Sequence, residues 1–338
     1  DDDVVAGGGW GPVFRVDAVD LGELMVLHHD GLWGSSIWRY DGTRATTARF
    51  DNDNRQVPFA ALGADPSVLI IGAAGGNEIM ASLTYGAGHV DAVELNPVTA
   101  RLLREDFADY SGHVVDDPRV HYVQGDGRTF LARSEAEYDL IWFVAPDSYA
   151  ASNAATSGAF VLSESYLYTA EMVRTAVDHL SDRGVMVAQF GDFAFDRRPT
   201  RTARYLTTAR SAVGDVLEPF SEHVVLLADE GDNDLQKVST IMLFRSPVGG
   251  ERADSLLASL ESVPNSKARY VPGRVRADGL TSDLITLDEA DTRSIVDAYP
   301  FDIGPITDDR PFFWHFSGFS SVVTDWSRSV SYTHLTLP

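Results

Sequence analysis

The 338-residue sequence has no cysteine at all. Disulfides, thiol catalysis and cysteine-based zinc sites are therefore excluded. The nine histidines fall in no metal-ligand spacing, so no metal is expected. Basic residues are scarce: 27 Lys and Arg stand against 50 Asp and Glu, a formal net charge of −23 and a pI near 4.6. Gripping a nucleic-acid backbone needs clustered Lys and Arg, so no nucleic-acid partner is expected and a small or cationic one fits better. The same acidity also serves simply to keep a protein soluble. No apolar run approaches the roughly 18 residues that cross a bilayer, and no signal peptide is legible, which predicts a soluble, cytoplasmic piece. No Met precedes Asp1, and residues 329–338 read as translated adapter or vector sequence, a non-native tail set aside from fold reasoning.

What is present suffices for a full core plus a smaller appendage, with 44% hydrophobic and 23% charged residues. From Pro12 to about Tyr40, the runs PVFRVDAV, ELMVLHH and SSIWRY alternate with Asp-Gly and Gly-Ser turn signals, predicting a small antiparallel β domain within residues 1–62. From Ser67 the rhythm changes. Buried-strand runs SVLIIG, HVDAVEL, VHYVQG, YDLIWFV and GVMVAQF alternate with amphipathic stretches, as in a parallel sheet covered on both faces. After the helical RTARYLTTARSAVG come HVVLLADE and KVSTIMLFR, separated by a short connection around Gly231-Asp232-Asn233-Asp234. That is too short for a parallel crossover, so the two strands should pair antiparallel. The fold class is thus α/β, a Rossmann-like class I S-adenosylmethionine methyltransferase fold over residues 63–248. Its sheet is a mostly parallel seven-stranded one closed by an antiparallel hairpin. Residues 249–328 read as a helical extension through ADSLLASLESV and DEADTRSIVDAY, ending on TDDRPFFWHF.

Three motifs fall on successive strand ends. Gly72-Ala73-Ala74-Gly75-Gly76 lies between an apolar strand and a helix, where bare N–H groups can approach a ligand. Alone it is equally a structural turn, and Ala74 and Asn77 break the Gly-x-Gly-x-x-Gly dinucleotide pattern. Glu94 ends the next strand, where a carboxylate can accept both hydrogen bonds of a ribose diol. Gly125-Asp126-Gly127 ends the third, where a carboxylate can accept from an exocyclic adenine amine. Together they favour adenosylmethionine over NAD. The cofactor-binding set is Gly72, Ala74, Gly75, Gly76, Glu94, Asn96, Asp126 and Gly127. Past the fourth strand, Asp147, Ser148 and Tyr149 stand where reacting groups sit in open α/β folds. Asp147 and Tyr149 are the catalytic candidates, although Pro-Asp-Ser is also ordinary cap and turn chemistry. Tyr166 and Tyr168 could shape an acceptor pocket or belong to the core; His28 and His29 could face the acceptor or simply end a strand.

These residues resemble the spermidine synthase (polyamine aminopropyltransferase) family. VLIIGAAGGNE, AVELNP, DDPRVHYVQGDGRTFL, YDLIWFVAPDS and LSDRGVMV follow its order and spacing, and HHDGLWGSS looks like part of its small leading domain. VAPDSYAASNAATSGAFVLSESYLYT and TDDRPFFWHF look closer to a branch found in large bacterial proteins with membrane segments. The resemblance therefore implies attachment to membrane segments outside this chain, and a homodimer. The chain departs from the family pattern at several points. Gly75 stands where the family's glycine turn carries Asp, Val144 replaces the first Asp of an Asp-x-x-Asp step whose second is Asp147, Gly34 falls on a family Gln, and Val57-Pro58 falls near a Tyr-His pair.

With those carboxylates replaced, the leading expectation is an adenosylmethionine-binding transferase moving a methyl or related alkyl group to a small acceptor. In-line attack at the sulfonium carbon demands mainly positioning and a dry site. Two alternatives stay open. One is aminopropyl transfer from decarboxylated S-adenosylmethionine to an amine; the other is a catalytically silent nucleoside- or polyamine-binding domain that regulates a membrane unit.

Overall fold

The computed structural model describes residues 5–11, 14–144, 166–192, 195–229 and 237–316. Its first sheet has four strands in sequential antiparallel order: β1 (Val5–Trp10), β2 (Arg15–Asp20), β3 (Leu24–His29) and β4 (Leu32–Trp38). In β2, Val16 and Ala18 are buried while Arg15 and Asp17 pair on the other face, the period-two pattern that the sequence carries. The sequence reading placed three strands here. β1 is additional, because three consecutive glycines give it little strand propensity and its pairing with β2 holds it extended.

The second sheet has nine strands. They are β5 (Ser67–Ile71), β6 (His89–Glu94), β7 (Val120–Gln124), β8 (Tyr138–Phe143), β9 (Leu180–Asp192), β10 (Val224–Asp229), β11 (Lys237–Phe244), β12 (Ser266–Val271) and β13 (Val275–Arg276). Their order is β13-β12-β10-β11-β9-β8-β5-β6-β7. Strands β5 to β9 are parallel, and β11 runs antiparallel to both β9 and β10. The expected seven-stranded sheet with its closing hairpin is therefore present. Two strands extend it beyond β10, and they come from the extension that the sequence reading made helical. SKARYV carries charge at alternating positions and has only Tyr270 and Val271 as large apolar residues, side by side rather than alternating, so its strand signal is weak until β10 supplies a partner.

Helices cover both faces of the sheet. On one side pack α1 (Asn77–Thr84), α2 (Pro97–Arg101) and the first sheet, around Ile79, Met80, Leu103, Val68, Ile70, Leu27 and Ile37. On the other pack α3 (Gly127–Arg133), α4 (Ala170–Asp178) and α5 (Thr200–Val213), around Leu131, Met172, Val173, Tyr205, Ile141 and Met186. Helices α6 (Gly250–Glu261), α7 (Leu280–Thr286) and α8 (Glu289–Ala298) follow. The chain leaves β5 in one direction to reach β6 and returns on the opposite side to β8. The carboxyl ends of β5, β6 and β7 thus lie side by side next to a topological switch point, the place where open α/β sheets bind ligands.

Candidate functional site

The glycine-rich loop leaves β5 through a left-handed Gly72 (φ 87°), a left-handed Ala74 (φ 44°) and a left-handed Gly76 (φ 82°) before α1 begins. A non-glycine residue in that region is strained by roughly 1–3 kcal/mol, so the loop is held by its surroundings. Gly72 and Ala73 donate N–H bonds to Val93 O at 2.9 and 3.0 Å, and Ala74 N–H donates to Glu94 Oε2 at 2.8 Å. The other Glu94 oxygen accepts the Asn96 N–H at 2.7 Å. Glu94 is buried, and burial pushes its carboxyl above the usual range while these two N–H groups pull it back. A carboxylate has about four acceptor positions, so both oxygens can still take a diol.

Asn96 caps α2 by accepting the Val98 N–H at 2.9 Å. Its amide nitrogen is buried and finds no acceptor among the described residues. Gly125 N–H donates to Glu94 O at 2.9 Å, which ties the third motif to the second. Asp126 is exposed at the sheet edge and caps α3, accepting the Thr129 N–H at 2.7 Å. Gly127 has a packing role. A Cβ there would stand 2.4 Å from Ile71 Cγ2, so only glycine lets α3 start this close to the end of β5. All eight residues expected at the cofactor site thus lie on three neighbouring strand ends.

Two contributors escaped the sequence reading. Ser35 of β4 accepts the Gly75 N–H at 3.3 Å, and a Cβ on Gly75 would lie 1.9 Å from Ser36 O. The first sheet is thereby seated on the glycine loop. The Gly-Ser-Ser of HHDGLWGSS reads locally as a turn signal, and nothing in it announces a contact with residue 75. The second contributor is Arg128, which opens α3 and pairs with Asp308, 180 residues away in sequence.

Asp147, Ser148 and Tyr149 lie outside the described residues. Tyr168 is not a pocket wall: it is 3% exposed among Phe190, Phe313 and Trp314, so it belongs to the core. Tyr166 sits under Arg128, 5.7 Å from its guanidinium. His29 stacks on Phe14 at 4.1 Å and fills the space over Gly34, where burial lowers its pKa to about 4. A cavity of about 570 Å³ lined by Tyr40, Thr84, His113 and Asp117 lies elsewhere, near the amino end of β7.

A family model for the spermine/spermidine synthase domain matches residues 55–213, which contain all three strand-end motifs. The chain is spermidine synthase-like. The polyamine aminopropyltransferase of Pectobacterium carotovorum subsp. carotovorum (strain PC1) is 25% identical over 193 residues, covering 54% of this chain and 62% of that protein. That of Pseudomonas syringae pv. tomato (strain ATCC BAA-871 / DC3000) is 34% identical over 88 residues, covering 25% and 30%. The spermidine synthase-like chain thus spans less than two thirds of the length of these curated relatives. A probable spermidine synthase from Corynebacterium glutamicum ATCC 13032 shares the fold, with a TM-score of 0.53 at 16% identity, over 81% of this chain and 97% of that one.

Proposed function

We propose that this spermidine synthase-like chain is a transferase of the aminopropyltransferase type, taking decarboxylated S-adenosylmethionine as donor and a small amine as acceptor. The observation that carries the reading is the buried Glu94 carboxylate. It is braced by Ala74 and Asn96 N–H groups within a spermine/spermidine synthase domain, one strand away from Asp126. Glu94 would accept the ribose hydroxyls, Asp126 the adenine amine, and the glycine loop would face the sulfonium substituents. The donor supplies the electrophilic carbon. An amine lone pair attacks the carbon next to sulfur, the carbon–sulfur bond breaks with its electrons going to sulfur, and the amine gives up a proton. A protonated amine has no lone pair, so a base must receive that proton, and Asp147 is the residue proposed for it from sequence.

One observation favours the second reading, transfer of a methyl or other alkyl group. Gly75 stands where the family resemblance calls for an amine-holding Asp, and Ser36 O fills the space that any side chain there would enter. With no carboxylate at that position, the carboxylate that intact S-adenosylmethionine carries beside its ammonium meets no like charge there. The two readings separate by product. Incubation with decarboxylated S-adenosylmethionine and a diamine should release methylthioadenosine and an acceptor heavier by one aminopropyl group. Release of S-adenosylhomocysteine from S-adenosylmethionine, with no reaction of the decarboxylated form, would contradict the first reading and establish the second.

A further inference from the structure

Asp126 and Arg128 flank Gly127 in an Asp-x-Arg step, a spacing across which a guanidinium readily reaches its own carboxylate. It does so at two of the other such steps, those whose Asp also accepts the N–H of its own Arg, while Asp196 pairs with Lys237 and Arg269, Arg293 with Glu289, and Asp308 with Arg128. At Asp117 and Arg119 the side chains meet at 2.9 and 2.8 Å, and at Asp53 and Arg55 they meet at 3.2 Å. Asp126 accepts instead the N–H of Thr129, one residue past Arg128, and Arg128 turns away from it. Its Nη1 and Nη2 donate to the two Asp308 oxygens at 2.7 and 2.5 Å, and Nη1 also reaches Tyr166 O at 3.2 Å and Thr169 Oγ1 at 3.4 Å.

Asp308 is itself fixed from several sides. Thr169 Oγ1 donates to its Oδ1 at 2.7 Å, and its own N–H donates to Glu171 Oε2 at 3.0 Å. Ala170 N–H donates to Ile306 O at 2.8 Å just before it, and Thr307 bridges Arg310 just after. The segment is anchored further along by Arg204, a fully buried guanidinium that donates to the carbonyls of Phe312, Phe313, His315 and Asp302. The TDDRPFFWHF ending is thus built to present one carboxylate to Arg128.

We propose that Asp308 is a positioning residue of the nucleoside site: by taking both terminal nitrogens of Arg128 it holds that guanidinium off Asp126 and leaves the Asp126 carboxylate open to an adenine amine. This rests on the reading of Asp126 as the adenine acceptor. The competition is unequal without Asp308. A bidentate, charge-assisted Arg–carboxylate pair is roughly twice as strong per bond as the bond that a neutral amine offers, so a released Arg128 would displace the ligand's amine. The ion pair also holds the Asp308 carboxyl below its ordinary range and raises the Arg128 guanidinium, in keeping with two committed partners.

The experiment is calorimetric titration with methylthioadenosine and with methylthioinosine, which carries an oxygen in place of the exocyclic amine. The proteins are the unmodified chain, Asp308→Asn, the double variant Arg128→Met/Asp308→Asn, and Asp126→Asn, each checked for a cooperative melt. Asp308→Asn should weaken methylthioadenosine about 10-fold or more and shrink its preference over methylthioinosine. The double variant should regain most of that preference, because no guanidinium is left to compete. A double variant as weak and unselective as Asp308→Asn would mean that Asp308 merely props the fold, and would overturn the proposal. If Asp126→Asn loses the preference while Asp308→Asn keeps it, the proposal fails and the adenine reading stands; if Asp126→Asn changes nothing, both fail. Should Asp308→Asn not fold, Asp308→Glu, which displaces the carboxylate by one methylene, is read in the same way.

Discussion

Glu94 is a buried carboxylate fixed by the main chain around it. Both of its oxygens already accept main-chain N–H bonds, which fixes their direction, and burial raises its pKa above the ordinary glutamate value. A ribose diol donates to the ionised form, so affinity for an adenosyl ligand depends on Glu94 being charged. It should fall with falling pH once Glu94 begins to protonate, earlier than an exposed glutamate with pKa near ~4.3 would allow. Titrating methylthioadenosine from pH 7 down checks this, and a profile that stays flat through the acid range would remove Glu94 from the contact. Glu94→Gln keeps the shape but loses the charge and should weaken binding by about 1.5–3 kcal/mol, roughly 10- to 150-fold. Glu94 and Asp126 were legible in sequence because strand-end positions are set locally, by an apolar run and the turn that stops it. The Arg128–Asp308 pair was not, since no local pattern relates residues 180 positions apart.

Among the elements, β4 and the glycine loop are held together by a contact with no spare room. Gly75→Ala would place a methyl group against Ser36 O, so the first sheet must lift from the loop. The expected cost is on the order of 1–3 kcal/mol in a denaturant titration, together with weaker nucleoside binding. A variant with unchanged stability and affinity would mean that β4 does not seat on the loop in solution. The first sheet also carries a pH signature. Partly buried His29 has a pKa lowered to about 4, chiefly by its loss of solvent, whereas the unfolded chain titrates near ~6.5. The unfolded state binds the extra proton, so stability should fall as pH drops from about 6.5 toward 4, by up to about 1.4 kcal/mol per pH unit. Melting curves of the chain and of His29→Phe across that range should converge at acid pH, and parallel curves would exclude His29 as the source. The strands β12 and β13, like β1, were hidden in sequence for one reason: strands at the periphery of a sheet draw their order from a neighbour rather than from their own composition.

At the scale of the molecule, the switch point of the large sheet, the first sheet and the C-terminal segment converge on one place. The strand alternation and the closing hairpin made the central fold readable, because buried parallel strands write themselves as unbroken apolar runs. What joins the parts was unreadable because it consists of tertiary contacts: Ser36 against Gly75, and Arg204 beneath residues 302–316. Arg204→Met would leave four carbonyls without their donor and should cost about 3–5 kcal/mol, seen as a lower melting temperature and faster proteolysis after Tyr299. We propose that three adjacent strand ends form one adenosyl site. Its most direct test is calorimetric titration of the chain with decarboxylated S-adenosylmethionine, S-adenosylmethionine, methylthioadenosine and NAD, repeated with Glu94→Gln. Saturable binding of the adenosyl sulfur compounds, preference for the decarboxylated donor, no binding of NAD and loss of affinity in the variant is the result expected. Binding of NAD in preference to them, or affinity unchanged in Glu94→Gln, would contradict it.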